Sequence, residues 1–213
     1  MTRSSETDQE RFWRGEQGDA YINRNIGVDI NHRVAFWNRV IAWDEVNAPQ
    51  SVIELGANIG LNLQAIRAIH TALKLAQPEL FAVEINERAC EHLRAARIPY
   101  APVSLTQIVG VGIYELAFTM GVLIHVAPAD LPSAYAVLDM CSSKYVLMAE
   151  YYSPSPREIR YRGETERCWA RDFAGEFMDQ FSGKYRLADY GFVYHRDPLM
   201  PLDDISWFLM EKV

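Results

Sequence analysis

Hydrophobic side chains along this chain recur at two spacings, one helical and one extended. Residues 31–43 carry Val34, Phe36, Trp37, Val40 and Ile41 as a helical stripe. Ser51–Leu55 is a short β-rich run ending at Gly56, and from Gly60 the positions Leu63, Ile66, Ile69 and Leu73 return to helical spacing. After Pro78, residues 80–84 predict a second strand, and Asn86 is placed to cap a helix over 87–96. Further strands are expected at 100–103, 114–120 and 145–150, with a helix over 129–140. Ser153-Pro154-Ser155-Pro156 breaks regular structure, and an arginine-rich stretch runs on to Arg171. A helix over 172–181 and two strands, 185–195 and 205–213, close the chain as a hairpin. Strands alternating with helices indicate an α/β fold, with an open, mostly parallel sheet and an antiparallel edge. Residues 1–11 are expected to be flexible, and 12–25 (FWRGEQGDAYINRN) has no clean period.

Length changes this picture little: 213 residues suit one domain with a single buried core. Charge changes it more. A net charge of −7 opposes nucleic acid and anionic membranes, which leaves a small molecule as the expected partner. The apolar stretch 105–126 is broken by Gln107, Glu115, His125 and three glycines, so it reads as buried strand rather than membrane span. Cys90, Cys141 and Cys168 are widely spaced and form no CxxC pair, which fits reduced thiols and a cytoplasmic location. They also form no zinc pattern with the histidines, so no metal is expected. The N-terminal residues are polar and do not resemble a signal peptide.

The chemistry concentrates at Glu54-Leu55-Gly56-Ala57-Asn58-Ile59-Gly60, between a strand and a helix. Glycines there let backbone approach a ligand closely. The next strand ends at Glu84, Ile85 and Asn86, where an acid can accept both hydroxyls of a ribose. A dinucleotide loop wants a glycine two positions before Gly56, and that position is Glu54. An acid there suits a cationic ligand such as S-adenosylmethionine (SAM) better than a pyrophosphate. A nucleotide-dependent oxidoreductase and a SAM-binding regulator without turnover are the alternatives.

The E-x-G-x-x-x-G loop, Glu84, and the run 120–126 (MGVLIHV) resemble motifs of class I SAM-dependent methyltransferases. More narrowly, FWRGEQGDAYINRN, ELGANIGLNL and EYYSPSPREIRYRGETERCWARDFAGEF resemble the pseudaminic acid biosynthesis-associated methylases, over nearly the whole chain. The resemblance implies a single-domain Rossmann-like fold with a seven-stranded sheet, a C-terminal hairpin and an N-terminal helical cover over 12–45. It implies that Gly56, Ala57, Asn58 and Gly60 line the methionine half of SAM, with Glu54 beside its amine. Glu84 would hold the ribose, Ile85 would pack on adenine, and Met120 would present its carbonyl to the cofactor's amino end. S-adenosylhomocysteine (SAH) would be the product. The family often has an Asp after the third strand for the adenine amino group; this chain has Val103-Ser104-Leu105-Thr106, so Ser104 or backbone must serve.

Trp13, Tyr21, Arg24 and Asn25 are candidates for the cover, with Arg24 and Tyr21 gripping the SAM carboxylate. On the substrate side, five arginines fall between 157 and 171. Arg162 and Arg171, with Tyr152, are the candidates to bind a carboxylated or phosphorylated sugar. His125, Glu150 and Tyr151 are candidate bases, should the acceptor, nitrogen or oxygen, need one. The expected reaction is methyl transfer to a small polar, sugar-like molecule.

Overall fold

The computed structural model describes residues 6–213. Along the chain run α1 (Asp8–Arg14), α2 (Glu16–Asn25), α3 (Ile30–Val40), β1 (Ser51–Leu55), α4 (Leu61–Ala72), β2 (Glu79–Val83) and α5 (Glu87–Ala95). Then follow β3 (Tyr100–Ala101), β4 (Tyr114–Met120), α6 (Leu131–Cys141), β5 (Ser142–Glu150), β6 (Arg157–Glu158), β7 (Trp169–Ala170), α7 (Phe173–Gln180), β8 (Tyr185–Val193) and β9 (Ile205–Lys212). Seven strands form one sheet in the order β3-β2-β1-β4-β5-β9-β8. The five strands from β3 to β5 are parallel, and β9 is antiparallel to both β5 and β8.

The C-terminal hairpin is present, but its antiparallel strand is not the edge. The chain first lays down β8 at the margin, parallel to β5, and then returns as β9 to fill the gap between them. Burial explains the order. In β9, Trp207 and Leu209 enter one core while Met210 enters the other, so this strand needs cover on both faces. Five consecutive residues of β8, from Arg186 to Tyr190, are exposed, as suits a margin.

The same alternation runs through the parallel strands. Val52, Leu116, Phe118, Leu147 and Ala149 face α3, α4 and α5 through Phe36, Trp37, Leu63, Ile66 and Leu93. Ile53, Leu55, Ala117, Val146 and Met148 face α6 and α7 through Leu131, Leu138, Phe173 and Phe177. Strands buried on both faces therefore read as continuous apolar runs. Glu54 and Thr119 are buried polar exceptions on these central strands.

The N-terminus departs from expectation. Residues 8–11, expected to be flexible, are the first turns of α1, closed by a capping box between Thr7 and Glu10. Residues 1–5 of that stretch lie outside the described residues. The aperiodic segment is two short helices broken at Gly15. Gly18 lets α2 fold back on α1: a Cβ there would lie 1.9 Å from the Trp13 carbonyl oxygen. The arginine-rich excursion is likewise ordered, as the two-stranded ribbon β6–β7. Among the described residues, no helix is long and apolar enough to cross a membrane.

Gly60 starts α4 at φ 77°, and a Cβ there would lie 2.7 Å from Leu93 Cδ2. Left-handed backbone alone costs a non-glycine residue about 1–2 kcal/mol. Gly60→Ala is expected to lower stability in urea unfolding by about 2–3 kcal/mol once the Leu93 clash is added.

Candidate active site

The strands β1, β2 and β4 end side by side, and the turns leaving them form a cleft at the carboxyl edge of the sheet, where ligands of open α/β folds bind. The cleft has two chambers. The larger, about 910 Å³ including its open mouth, is lined by Trp13, Glu84, Ile85, Ser104 and His125 among others. The smaller, about 400 Å³, is lined by Asn25, Arg33, Glu54, Ala57, Asn62 and Met120 among others. Tyr21, Gly56, Asn58, Gly121 and Val122 line both and form the neck.

The β1–α4 turn shapes that neck. Gly56 has φ 79°, and a Cβ on it would lie 2.6 Å from Val122 Cγ2. The turn's amides are already engaged. Gly56 and Ala57 N–H donate to the Val83 carbonyl at 2.8 and 3.0 Å, Asn58 N–H to Glu84 at 2.7 Å and Gly60 N–H to Ala57. A pyrophosphate would find few free donors here. The arrangement disfavours a dinucleotide.

Glu84 sits at the start of the β2–α5 turn. Its Oε2 accepts from Asn58 N–H and its Oε1 from Asn86 N–H at 2.8 Å. Burial raises its pKa, and these backbone donors oppose the rise. Each oxygen keeps a second lone pair, enough for the two hydroxyls of a ribose.

The smaller chamber holds a carboxyl and a guanidinium that are hydrogen-bonded to other groups and not to each other. Glu54 Oε1 accepts from Asn62 Nδ2 at 2.6 Å, while Oε2 is buried and has no partner. Burial pushes the Glu54 carboxyl up to about 8, against the help of Asn62 and Arg33. Arg33, from α3, donates Nη1 to the Met120 sulfur, and its Nε is buried without a partner. A carboxyl with one free oxygen and a guanidinium with a free Nε in one chamber match a zwitterion, whose ammonium would favour the ionised form of Glu54.

The N-terminal helices roof the larger chamber. Asn86 caps α5 through its side-chain oxygen and donates Nδ2 to Asp19 at 3.0 Å and to the carbonyls of Trp13 and Arg14. Trp13 packs on His125 with ring centroids 4.4 Å apart, and Tyr161 packs on both. His125 Nδ1–H donates to the Arg167 carbonyl at 2.7 Å, which leaves Nε2 as the acceptor. Burial lowers the His125 pKa to about 4, so the ring is neutral at physiological pH.

Several sequence-predicted residues lie outside both chambers. Arg24 is exposed, bonded to the Ala20 carbonyl and to Tyr161 Oη, and does not line the chamber that holds Arg33. The signal for Arg33 was present in sequence: it precedes the apolar Phe36 and Trp37 by three and four positions, on the buried face of α3. Gly60 meets Leu93 and Ile98, so its role here is helix packing. Glu150 is buried with both oxygens accepting backbone N–H groups, from Val122 and Ile124. Burial pushes its carboxyl up to about 7, against those donors. It holds the loop after β4 rather than opening into the cleft. Tyr151 packs between the two cores, and burial raises its pKa. Tyr152 is exposed against Phe208, Arg162 lies over the Tyr161 ring, and Arg171 is paired with Glu176 at 2.8 Å. These three do not reach the cleft because they brace the ribbon and α7 instead.

No family model matches the sequence, and none of the curated proteins does. Solved structures do match in fold. Magnesium protoporphyrin IX methyltransferase from Synechocystis, with bound SAM, has TM-score 0.66 and 12% identity over 100% of both chains. The 1,6-didemethyltoxoflavin-N1-methyltransferase of Burkholderia thailandensis, with SAH bound, has TM-score 0.63 and 11% identity over 92% of this chain and 83% of that one. The glycopeptide N-methyltransferase MtfA with SAH has TM-score 0.60 and 11% identity, over 94% and 99%. The fold is therefore that of the class I SAM-dependent methyltransferases.

A carboxyl whose folded pKa exceeds its unfolded value binds its proton more tightly in the native state. Its contribution is therefore present at low pH and lost as pH rises toward the folded pKa. From pH 5 to 8 the ligand-free protein should lose stability through Glu54, with Glu150 and Glu84 adding to the slope. Glu54→Gln should flatten that slope in urea unfolding at the two pH values; an unchanged slope would show that Glu54 is not the group responsible.

Proposed function

We propose that the chain is a methyltransferase that uses SAM and acts on a small polar metabolite. The observation that carries this reading is the pair Glu54 and Arg33, each with a buried polar atom that lacks a partner, lining one chamber beside the neck. SAM ends in an α-amino acid, which supplies both missing partners, and its ribose and adenine match Glu84 and the apolar walls Val83, Ile85 and Val103. When bound, SAM supplies a methyl group made electrophilic by the sulfonium.

The protein's own contribution is then mostly placement. Glu54 and Arg33 hold the amino-acid end and Glu84 the ribose, so the neck receives the centre of the molecule. Asn86 keeps the N-terminal helices down and water out. Tyr21 and Val122 both line the neck. His125, neutral and with its tautomer set by Arg167, offers Nε2 as an acceptor for a proton or hydrogen bond on the incoming substrate.

For the acceptor we favour a carboxylated or nucleotide-linked nonulosonic sugar, with a nitrogen or an oxygen receiving the methyl group. The resemblance of residues 12–25 and 150–177 supports this, as does Arg157, whose side chain is exposed on the ribbon. A cytoplasmic setting, supported by three buried unpaired cysteines, completes the reading.

Calorimetric titration with SAM and SAH tests the cofactor. Arg33→Ala is expected to weaken SAH at least about tenfold through loss of a charge-assisted bond, and Arg24→Ala to leave affinity within about twofold. The opposite pattern would return the carboxylate to Arg24. Incubation with labelled SAM and a set of nucleotide sugars and free nonulosonic acids tests the acceptor. In the same assay His125→Ala should lose turnover at least about tenfold while SAH affinity stays near wild type, in keeping with a proton-accepting role.

A further inference from the structure

Besides Glu84, the larger chamber is lined by α1 with its cap and by the loop that follows β3. Thr7 and Glu10 come from the first, and Ser104, Leu105 and Thr106 from the second. That loop offers hydroxyls and no carboxylate. We propose that Glu10 accepts the exocyclic amino group of the bound purine, so that the first helix of the chain reads the base as it closes the cleft. This rests on the cofactor reading above and adds a specificity-determining residue to it.

Glu10 is 8% exposed, unusual for a carboxylate in the first turn of a short helix. Half of its side chain has an ordinary explanation: Oε2 accepts from Thr7 N–H at 2.7 Å, completing the capping box. The other half does not. Oε1 reaches across to the loop after β3, where Thr106 Oγ1 lies at 3.2 Å and Gln107 Nε2 at 3.4 Å. Both distances exceed the usual ranges, about 2.5–3.0 Å for a hydroxyl donor and 2.7–3.2 Å for an amide, so a closer donor in the chamber could compete for Oε1. Burial raises the Glu10 pKa, but hydrogen bonds from Ser104, Thr7 and Thr106 outweigh it and hold the pKa below its usual value. The group is therefore ionised at neutral pH and can only accept.

An ionised acceptor discriminates between purines. A 6-amino group donates to it, whereas a 6-oxo group sets one acceptor against another, and a buried mismatch of that kind is costly. Ser104 and Thr106 hold Glu10 in position through their shared hydroxyl network. Base recognition and closure of α1 thus depend on the same side chain.

The test compares SAH with S-inosylhomocysteine, which differs only in carrying the 6-oxo base. Wild-type protein should bind the inosine form at least about tenfold more weakly, the size expected for one unmatched buried polar group. Glu10→Gln keeps a carbonyl for Thr7 N–H, so the capping box and α1 persist, while its amide can donate to a 6-oxo group. In that variant the preference should shrink to within about threefold. Hydrogen exchange on wild-type protein gives a second readout: SAH should protect the amides of Asp8–Arg14 more than the inosine form does. Equal affinity of wild type for the two ligands, or a preference undiminished in Glu10→Gln, overturns the assignment to Glu10 and leaves the cofactor reading standing. Binding of neither ligand overturns both.

Discussion

Glu54 lies on β1, between β2 and β4 in the sheet, with one oxygen held by Asn62 and the other without a partner. A buried carboxyl in that condition is costly to ionise, and burial pushes its pKa up to about 8. The apolar layers on both sides of β1 have to outweigh that cost. The cleft makes sense of the arrangement: the strain sits where a cationic ligand group would relieve it, a few residues from a turn that leaves backbone close to the ligand. Arg33 balances the same chamber from α3 with a guanidinium that has found only a thioether.

The other groups around the cleft are secured by bonds within the protein. The β1–α4 turn commits its amides to Val83 and Glu84, so it is a rigid rim rather than an anion cradle. Glu150 ties down the loop that carries Val122. Asn86 fastens the roof, and Gly18 allows the two short helices to meet at the required angle. Rigid rims and one unsatisfied chamber are what placement catalysis needs, because the ligand loses freedom while the protein loses little.

The central strands were legible because strands buried on both faces produce continuous apolar runs, as in 51–55, 114–120 and 145–150. The acids at their ends were legible as well, since a carboxylate beside a glycine turn has few purely structural uses. The N-terminal helices were harder to see. Their stability comes from docking on Asn86 and His125, which no local period records. The arginines misled for a related reason. Arg24 and Arg171 looked available because their neighbours in sequence are polar, yet Arg24 is occupied by Tyr161, far along the chain, and Arg171 by Glu176, on the helix that follows.

By itself the sequence determined the alternation of strands and helices, the glycine turn and the two carboxylates that flank it, because these depend on side-chain period and on residues at fixed local offsets. Tertiary structure alone decided that β9 enters the sheet inside β8, that Arg33 rather than Arg24 faces Glu54, and that Glu10 reaches the loop after β3. Those outcomes depend on which surfaces remain unburied once the core has closed, and on contacts between positions up to 137 residues apart. Local pattern carries no record of either.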